Sequence, residues 1–337
     1  MTTHRAVHVA TAHGPLQLVD VETTPPPPDH VRISVHACGV CGTDREFVHG
    51  GLPNLTWPLT PGHEIAGTIA EIGNGVDGFT VGDRVAVGWF GGNCNQCESC
   101  RKGLFIHCEN GQVPSRHYPG GYAESVTAPA TALARIPEGL SFTEAAPMGC
   151  AGVTTYHALR VTNAVPGDRV AVLGVGGLGH LGIQFARAMG FETIAVARGA
   201  EKAADARRFG AHHYIDSTAA DVGDALQRCG GVTVVLATAA SSNAIAQTLG
   251  GLKPRGELVV VGVSNQPLPI SPVQLISPAL TITGHPAGTA ADIEDTMNFA
   301  VLNGVRAQVQ ERPLEEAPDA YAAMEDGHAR YRMVLTM

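Results

Sequence analysis

The chain has 337 residues, 44% hydrophobic and 16% charged, enough apolar material for two packed domains and too much for a disordered polymer. A formal net charge of −9 gives its surface no attraction for nucleic acid or anionic membranes. No apolar run approaches a bilayer span, and residues 1–14 scatter polar residues and histidines where a signal peptide has an unbroken apolar segment, so a cytoplasmic protein is expected.

Residues 1 to about 150 are cut into short apolar runs by Gly, Pro and Asp. VRISV (31–35) alternates like a half-buried strand, and TIAEI (68–72) and RVAV (84–87) sit beside turn residues. These features predict a β-rich, loop-rich domain. The prolines at 25–28 suit a stiff connector. From about residue 153 the texture changes. RVAVL (169–173), TIAV (193–196), VTVVL (232–236) and ELVVV (257–261) are continuous apolar runs, as in strands buried on both faces of a parallel sheet. Leu178, Leu181, Phe185 and Met189 share a helical face between the first two. Alternating strands and helices predict a doubly wound α/β domain. The tail from about 286 has a helical stretch and ends in a strand-like run at 332–335, but periodicity does not place it.

Four of the eight cysteines, Cys94, Cys97, Cys100 and Cys108, form C-x2-C-x2-C-x7-C. In a reducing cytosol such clustering points to metal rather than disulfides. Two-residue gaps let a tight turn aim successive sulfurs at one point, and four thiolates leave no open coordination position, so a structural zinc is expected. An iron–sulfur centre fits less well, because a ferredoxin run is shorter between its last cysteines and usually followed by Pro. Cys41, His63 and Cys150 are a suitable ligand set for catalytic zinc, although a lone Cys or His is more often a packed or satisfied core residue.

Gly174, Gly176 and Gly179 form G-x-G-x-x-G, with Gly177 and Leu178 inside it, between a predicted strand and a predicted helix. The glycines let backbone approach a pyrophosphate seated on the helix N-terminus. In NAD enzymes an acidic residue about twenty positions on holds the ribose. Here the second strand ends at Ala197 and Arg198 follows, with Lys202 one helical turn further. A guanidinium can grip a 2′-phosphate through paired hydrogen bonds. NADP is therefore favoured and NAD remains possible, through Glu201 or through a solvated Arg198.

The segment GHE-x2-G-x5-G-x2-V, from Gly62 to Val76, together with the four-cysteine lobe after it and the run CAGVT from Cys150, resembles the medium-chain, zinc-dependent alcohol dehydrogenases, essentially end to end. The resemblance implies a β-rich GroES-like catalytic domain over 1–152 with a zinc lobe at about 91–109, a Rossmann domain over 153–284, and a return segment, 285–337, that completes the catalytic domain. It implies two zincs, one catalytic on Cys41, His63 and Cys150 and one structural on Cys94, Cys97, Cys100 and Cys108. Asp44 would orient His63, Glu64 would lie behind the metal, and Thr43 would take the substrate's proton, while Cys38 would serve packing. Thr154 would meet the nicotinamide amide and Arg332 the pyrophosphate. The activity implied is reversible hydride transfer between a small alcohol or aldehyde and NAD(P), by a homo-oligomer whose short loops resemble the microbial, yeast-type tetrameric branch. Two departures stand out: Glu46 occupies the place of a relay histidine, leaving Glu46, nearby His49 or water to end the proton relay, and Gly42 stands where relatives often have a histidine.

Overall fold

The computed structural model of the chain describes residues 2–337. Contacts divide it into two compact units. The first comprises residues Met1–Cys150, Ala287–Leu302 and Arg306–Met337, and the second Ala151–Pro286 with Asn303–Val305.

The first unit is built on a seven-stranded sheet in the order Val309–Pro313, Arg332–Thr336, His30–Val40, Ile65–Ile72, Arg84–Val87 and Ala134–Arg135, with Ser125–Pro129 also paired to His30–Val40. Only Val309–Pro313 and Arg332–Thr336 run parallel. Strand His30–Val40 shows why the apolar alternation forms a strand. Val31, Ile33 and Val35 point into a core shared with Ile65, Ile69 and Val126, while Arg32, Ser34 and His36 are half exposed. The alternation stops at Ala37, beyond which every residue of the strand is buried. The chain there runs inward and delivers Cys41 to the interior. The C-terminal tail finds its place in this sheet: Arg332–Thr336 pairs antiparallel with His30–Val40, Met333 opposite Val40. A separate hairpin joins Thr3–Val9 to Leu16–Glu22.

The second unit is a six-stranded parallel sheet in the order His213–Asp216, Glu192–Ala197, Arg169–Leu173, Val232–Ala237, Leu252–Val260 and Thr281–Gly284. The order reverses between Arg169–Leu173 and Val232–Ala237, which is where doubly wound sheets bind ligands. All four apolar runs are strands; Leu173, Ile194, Val196, Val232, Val235 and Leu258 fill one core with Leu226, Ile245 and Leu249, and Val170, Val172, Val234 and Leu236 are buried as well. Helix Gly179–Ala188 buries Leu181 and Phe185, whereas Leu178 and Met189 fall on its caps. The two edge strands are short and partly polar and gave no clear strand signal in the sequence.

Candidate active site

Cys41 follows strand His30–Val40, His63 sits in the loop before Ile65–Ile72, and Cys150 ends the 3-10 turn Ala146–Gly149. The fold of the first unit brings one donor atom each from Cys41, His63, Glu64 and Cys150 within 4.8 Å of one another. The Cys41 and Cys150 sulfurs are 3.9 Å apart. That is far beyond a disulfide at about 2.05 Å, and close to the roughly 3.8 Å expected of two sulfurs each about 2.3 Å from one tetrahedral zinc. His63 Nδ1 donates to Asp44 Oδ1 at 2.9 Å, while its Nε2 is buried and has no hydrogen-bond partner among the described residues. A buried ring nitrogen with no hydrogen-bond partner beside two sulfurs suits a metal ligand. The residues present therefore fit a tetrahedral zinc on Cys41, His63 and Cys150, with Glu64, the fourth donor of the cluster, ion-paired to Arg332.

The electrostatics point the same way. The Cys150 thiol hydrogen-bonds to Cys41 and, against the cost of burial, holds the Cys41 thiol well below its ordinary range, helped by His63. The same contact and burial push Cys150 well above it. Two buried thiols that cannot both ionise beside one another are reconciled by a cation between them. Burial opposes a charged His63, but Asp44 and Cys41 outweigh it and keep its affinity for protons well above normal. Burial raises Glu64 to about 8 against the pull of Arg332.

The second cluster is local. Cys94, Cys97, Cys100 and Cys108 all bring sulfur within 4.8 Å of one another. Cys108 lies 3.6 Å from Cys94 and 3.8 Å from Cys97, again the spacing of sulfurs around one zinc. Backbone amides close the loop onto the sulfurs, Cys94 N–H on Cys108 Sγ at 3.3 Å and Cys97 N–H on Cys94 Sγ at 3.4 Å. The Asn110 amide and the backbone N–H groups of Gln96 and Cys97 pull the Cys94 thiol down to about 6, whereas burial lifts Cys108 to about 12.

In the second unit the glycine segment connects strand Arg169–Leu173 to helix Gly179–Ala188. A side chain at Gly179 would stand 1.9 Å from the Gly174 carbonyl oxygen, so only glycine lets helix and strand meet this closely. Around Gly176 there is open space, as a backbone that must approach a ligand needs. Thr154 is buried on helix Ala151–Arg160. Arg198 is exposed immediately after strand Glu192–Ala197, and Lys202 ends the turn Ala200–Lys202. Asp216, on the neighbouring strand, is held by Gly199 N–H and by the Thr218 amide and hydroxyl, all within 2.9 Å.

Comparison with known proteins decides the family. Residues 27–138 match the model of the alcohol dehydrogenase GroES-like domain and residues 177–301 that of the zinc-binding dehydrogenases. The alcohol dehydrogenase notN of Aspergillus sp. (strain MF297-2) is 38% identical over 336 residues, covering 100% of this chain and 98% of its own. The chain belongs to the zinc-dependent medium-chain alcohol dehydrogenases. The NADP-dependent alcohol dehydrogenase C 1 of Mycolicibacterium smegmatis (strain ATCC 700084 / mc(2)155) is 32% identical, covering 99% of this chain and 98% of its own. The crystal structure of the Aeropyrum pernix alcohol dehydrogenase superposes with a TM-score of 0.90 at 29% identity, covering 99% of this chain and 100% of that one. This alcohol dehydrogenase is thus an oxidoreductase with a GroES-like domain and a Rossmann-like parallel sheet.

Within the dehydrogenase, the remaining expected site residues have the following surroundings. Arg332, expected at a pyrophosphate, is only 4% exposed and ion-paired through Nη2 with both carboxylate oxygens of Glu64. A buried carboxylate and a buried guanidinium each cost too much without the other, so the two are found paired. Of the relay candidates, His49 is stacked on His13 and faces Glu325, with 3.4 Å between Nε2 and Oε1, while Glu46 is half-buried. Cys38 is fully buried in the sheet core. Three polar residues escaped the sequence reading: Asn93 and Asn110, whose amides reach Cys100 and Cys94, and Tyr122, whose hydroxyl reaches Asp44. The asparagines flank the cysteine run and were visible there. Tyr122 had no signal beyond its neighbouring glycines.

Proposed function

We propose that the enzyme interconverts a small alcohol and its aldehyde using two zincs per chain, a catalytic one on Cys41, His63 and Cys150 and a structural one on Cys94, Cys97, Cys100 and Cys108, with NADP as preferred cofactor. The observation that carries this is the unused, buried Nε2 of His63 facing two sulfurs 3.9 Å apart. A zinc held by Cys41, His63 and Cys150 would supply Lewis acidity toward the oxygen of the alcohol or aldehyde.

The chain's own residues do the rest. Asp44 fixes the ring and tautomer of His63 by accepting from Nδ1. Thr43 caps helix Asp44–Val48 by position, but its side chain makes no capping bond. Its half-exposed hydroxyl is free to accept the substrate's proton in oxidation while passing its own on to water, Glu46 or His49, and to run the same relay backwards in reduction. Trp89 stands edge-on to His63, ring centroids 5.4 Å apart, and walls that side from water. Thr154 contacts the nicotinamide amide, and the glycine segment receives the pyrophosphate. Arg198 and Lys202 favour the 2′-phosphate, and Asp216, the acidic group of the adjacent strand, is occupied by Gly199 and Thr218.

The eight cysteines are free thiols, which suits a reducing, cytoplasmic compartment, and no helix among the described residues is long and apolar enough to cross a membrane. A homo-oligomer is supported by the second unit, which has an edge strand, Thr281–Gly284, and exposed apolar residues Val263, Val273 and Ile276, which are 69, 68 and 76% exposed. The reading is tested by scanning primary alcohols and aldehydes with NADP and with NAD while counting zinc. Turnover that depends on two zincs per chain is expected; absence of turnover from the zinc-replete protein would overturn it.

A further inference from the structure

The carboxylate that orients His63 is itself held from a third side. Asp44, His63 and Tyr122 are all fully buried. Asp44 Oδ1 accepts from His63 Nδ1 at 2.9 Å, and Oδ2 accepts both the Cys41 backbone N–H and the Tyr122 hydroxyl, each at 2.9 Å. The first two donors belong to metal-binding residues. The third comes from a segment with no ligand in it.

That segment is rigidly fastened to the His63 loop. Gly120 N–H donates to Thr60 O, Gly121 N–H to Gly62 O and Tyr122 N–H to Pro61 O, at 2.9, 2.8 and 3.0 Å, while Val7 N–H donates to Tyr122 O at 2.8 Å. The Tyr122 ring lies against Gly62, whose φ of +103° suits glycine and where a side-chain carbon would stand 2.5 Å from Tyr122 Cδ1. Backbone and ring are therefore both fixed, and the hydroxyl has one direction to point. Burial and the nearby Asp44 charge raise its affinity for its proton, so it stays a donor.

We propose that Tyr122 is a positioning residue of the catalytic zinc site: its hydroxyl fixes the plane of the Asp44 carboxylate and so the aim of His63 Nε2. A carboxylate held by two donors on one oxygen and one on the other cannot rotate without breaking a bond at each end. With the hydroxyl removed, Oδ2 keeps only the Cys41 amide, a group on the very loop the carboxylate has to steady. The His63 ring then samples a wider range of angles and holds metal more loosely. This inference rests on Cys41, His63 and Cys150 binding zinc.

The experiment follows zinc release to a chromophoric chelator from the full-length holoenzyme, its Tyr122→Phe and Asp44→Asn variants, and Cys41→Ser, which defines the phase belonging to the four-cysteine lobe. Phenylalanine keeps the ring and its packing. Removing an outer-shell partner directly costs about 10–100-fold in metal affinity, and Asp44→Asn should accelerate the Cys41-dependent phase by about that much. Tyr122→Phe, one bond further out, should accelerate it by about 3–10-fold and leave the lobe phase and the thermal midpoint in place. Native mass spectrometry of each variant as purified reports which zinc was kept, even from a sample too fragile for kinetics. An unchanged Cys41-dependent phase in Tyr122→Phe beside an accelerated one in Asp44→Asn overturns the inference, as does equal acceleration of both phases. A parent enzyme without any Cys41-dependent phase overturns the zinc assignment itself, and the inference falls with it.

Discussion

The two cysteine clusters hold similar donor atoms at similar spacing but are built in opposite ways. The lobe draws its four sulfurs from residues 94–108 and closes them with its own backbone amides. The Cys41 cluster draws its donors from positions 41, 63, 64 and 150, and they meet only because the sheet around His30–Val40 and Ile65–Ile72 has formed. A site written locally can order the chain around it, whereas a site assembled by the fold depends on that order and is free to keep one position open for chemistry. The difference also shows in the surroundings. The lobe sulfurs are mostly half exposed and receive amide bonds, while the Cys41 cluster is enclosed with Asp44, Glu64 and Arg332, charges tolerated only in pairs.

The contrast is broken most severely at Cys41. Cys41→Ser is expected to lower kcat by about a thousandfold or more, several kcal/mol of lost charge stabilisation, while the folded protein keeps its lobe zinc. Metal analysis and circular dichroism on the same sample check both halves; a variant that loses both zincs would show the sites to be one cooperative unit. Thr43→Ala comes next. Loss of a positioned proton carrier should lower kcat by about 10²–10⁴-fold, with zinc content unchanged and Thr43→Ser close to the parent. A parent-like alanine variant would mean that the proton leaves by another route.

At the lobe the effect should fall on stability instead. Cys97→Ala removes one of four ligands, and binding free energy of structural zinc is folding free energy. The thermal midpoint should drop by about 5–10 °C, a few kcal/mol for a chain of this size, and the fraction still folded should turn over at the parental rate. Calorimetry and active-site titration separate the two. Should kcat per folded molecule collapse as well, the lobe would be shaping the catalytic cluster and the division of labour would be wrong.

This division explains what could be read before the fold was known. Spacing alone marks the lobe, because its ligands are neighbours in the chain. The apolar runs at 169–173, 193–196, 232–236 and 257–261 mark the parallel sheet, because strands covered on both faces need no polar positions. Strands His213–Asp216 and Thr281–Gly284 were not legible, because an edge strand with one open side can be short and polar. Cys41, His63 and Cys150 were recognisable only as a family pattern, since nothing in their spacing requires them to meet. That Arg332 pairs with Glu64 was not legible, because the two are 268 positions apart. Tyr122 was missed for the same reason: its role lies in one bond to a residue 78 positions away.

The dinucleotide segment is an intermediate case and sharpens the comparison least but most finely. Its backbone is written locally, like the lobe, in Gly174 through Gly179, yet its choice of cofactor depends on side chains beyond the next strand. Arg198 stands exposed at the tip of Glu192–Ala197, where an arginine rather than an acidic residue directly follows the strand, and Asp216 is turned toward Gly199 and Thr218. A guanidinium is therefore present at the tip, with the Asp216 and Glu201 carboxylates lying against Gly199 beside it. An exposed Arg–phosphate contact is worth about 1.5–3 kcal/mol, so the parent should prefer NADP over NAD by about tenfold to a hundredfold in kcat/KM. Arg198→Ala should bring the ratio toward unity, and Arg198→Asp should reverse it, because a carboxylate accepts from a ribose hydroxyl and repels the phosphate. Lys202→Ala should move the ratio in the same direction by less, since a single flexible ammonium lacks the paired geometry. The contact is solvent-exposed and charged, so the parental preference should also shrink as salt is raised, whereas zinc content should not respond. A parent that prefers NAD, with Arg198→Ala leaving the ratio where it was, would show that this arginine does not read the phosphate.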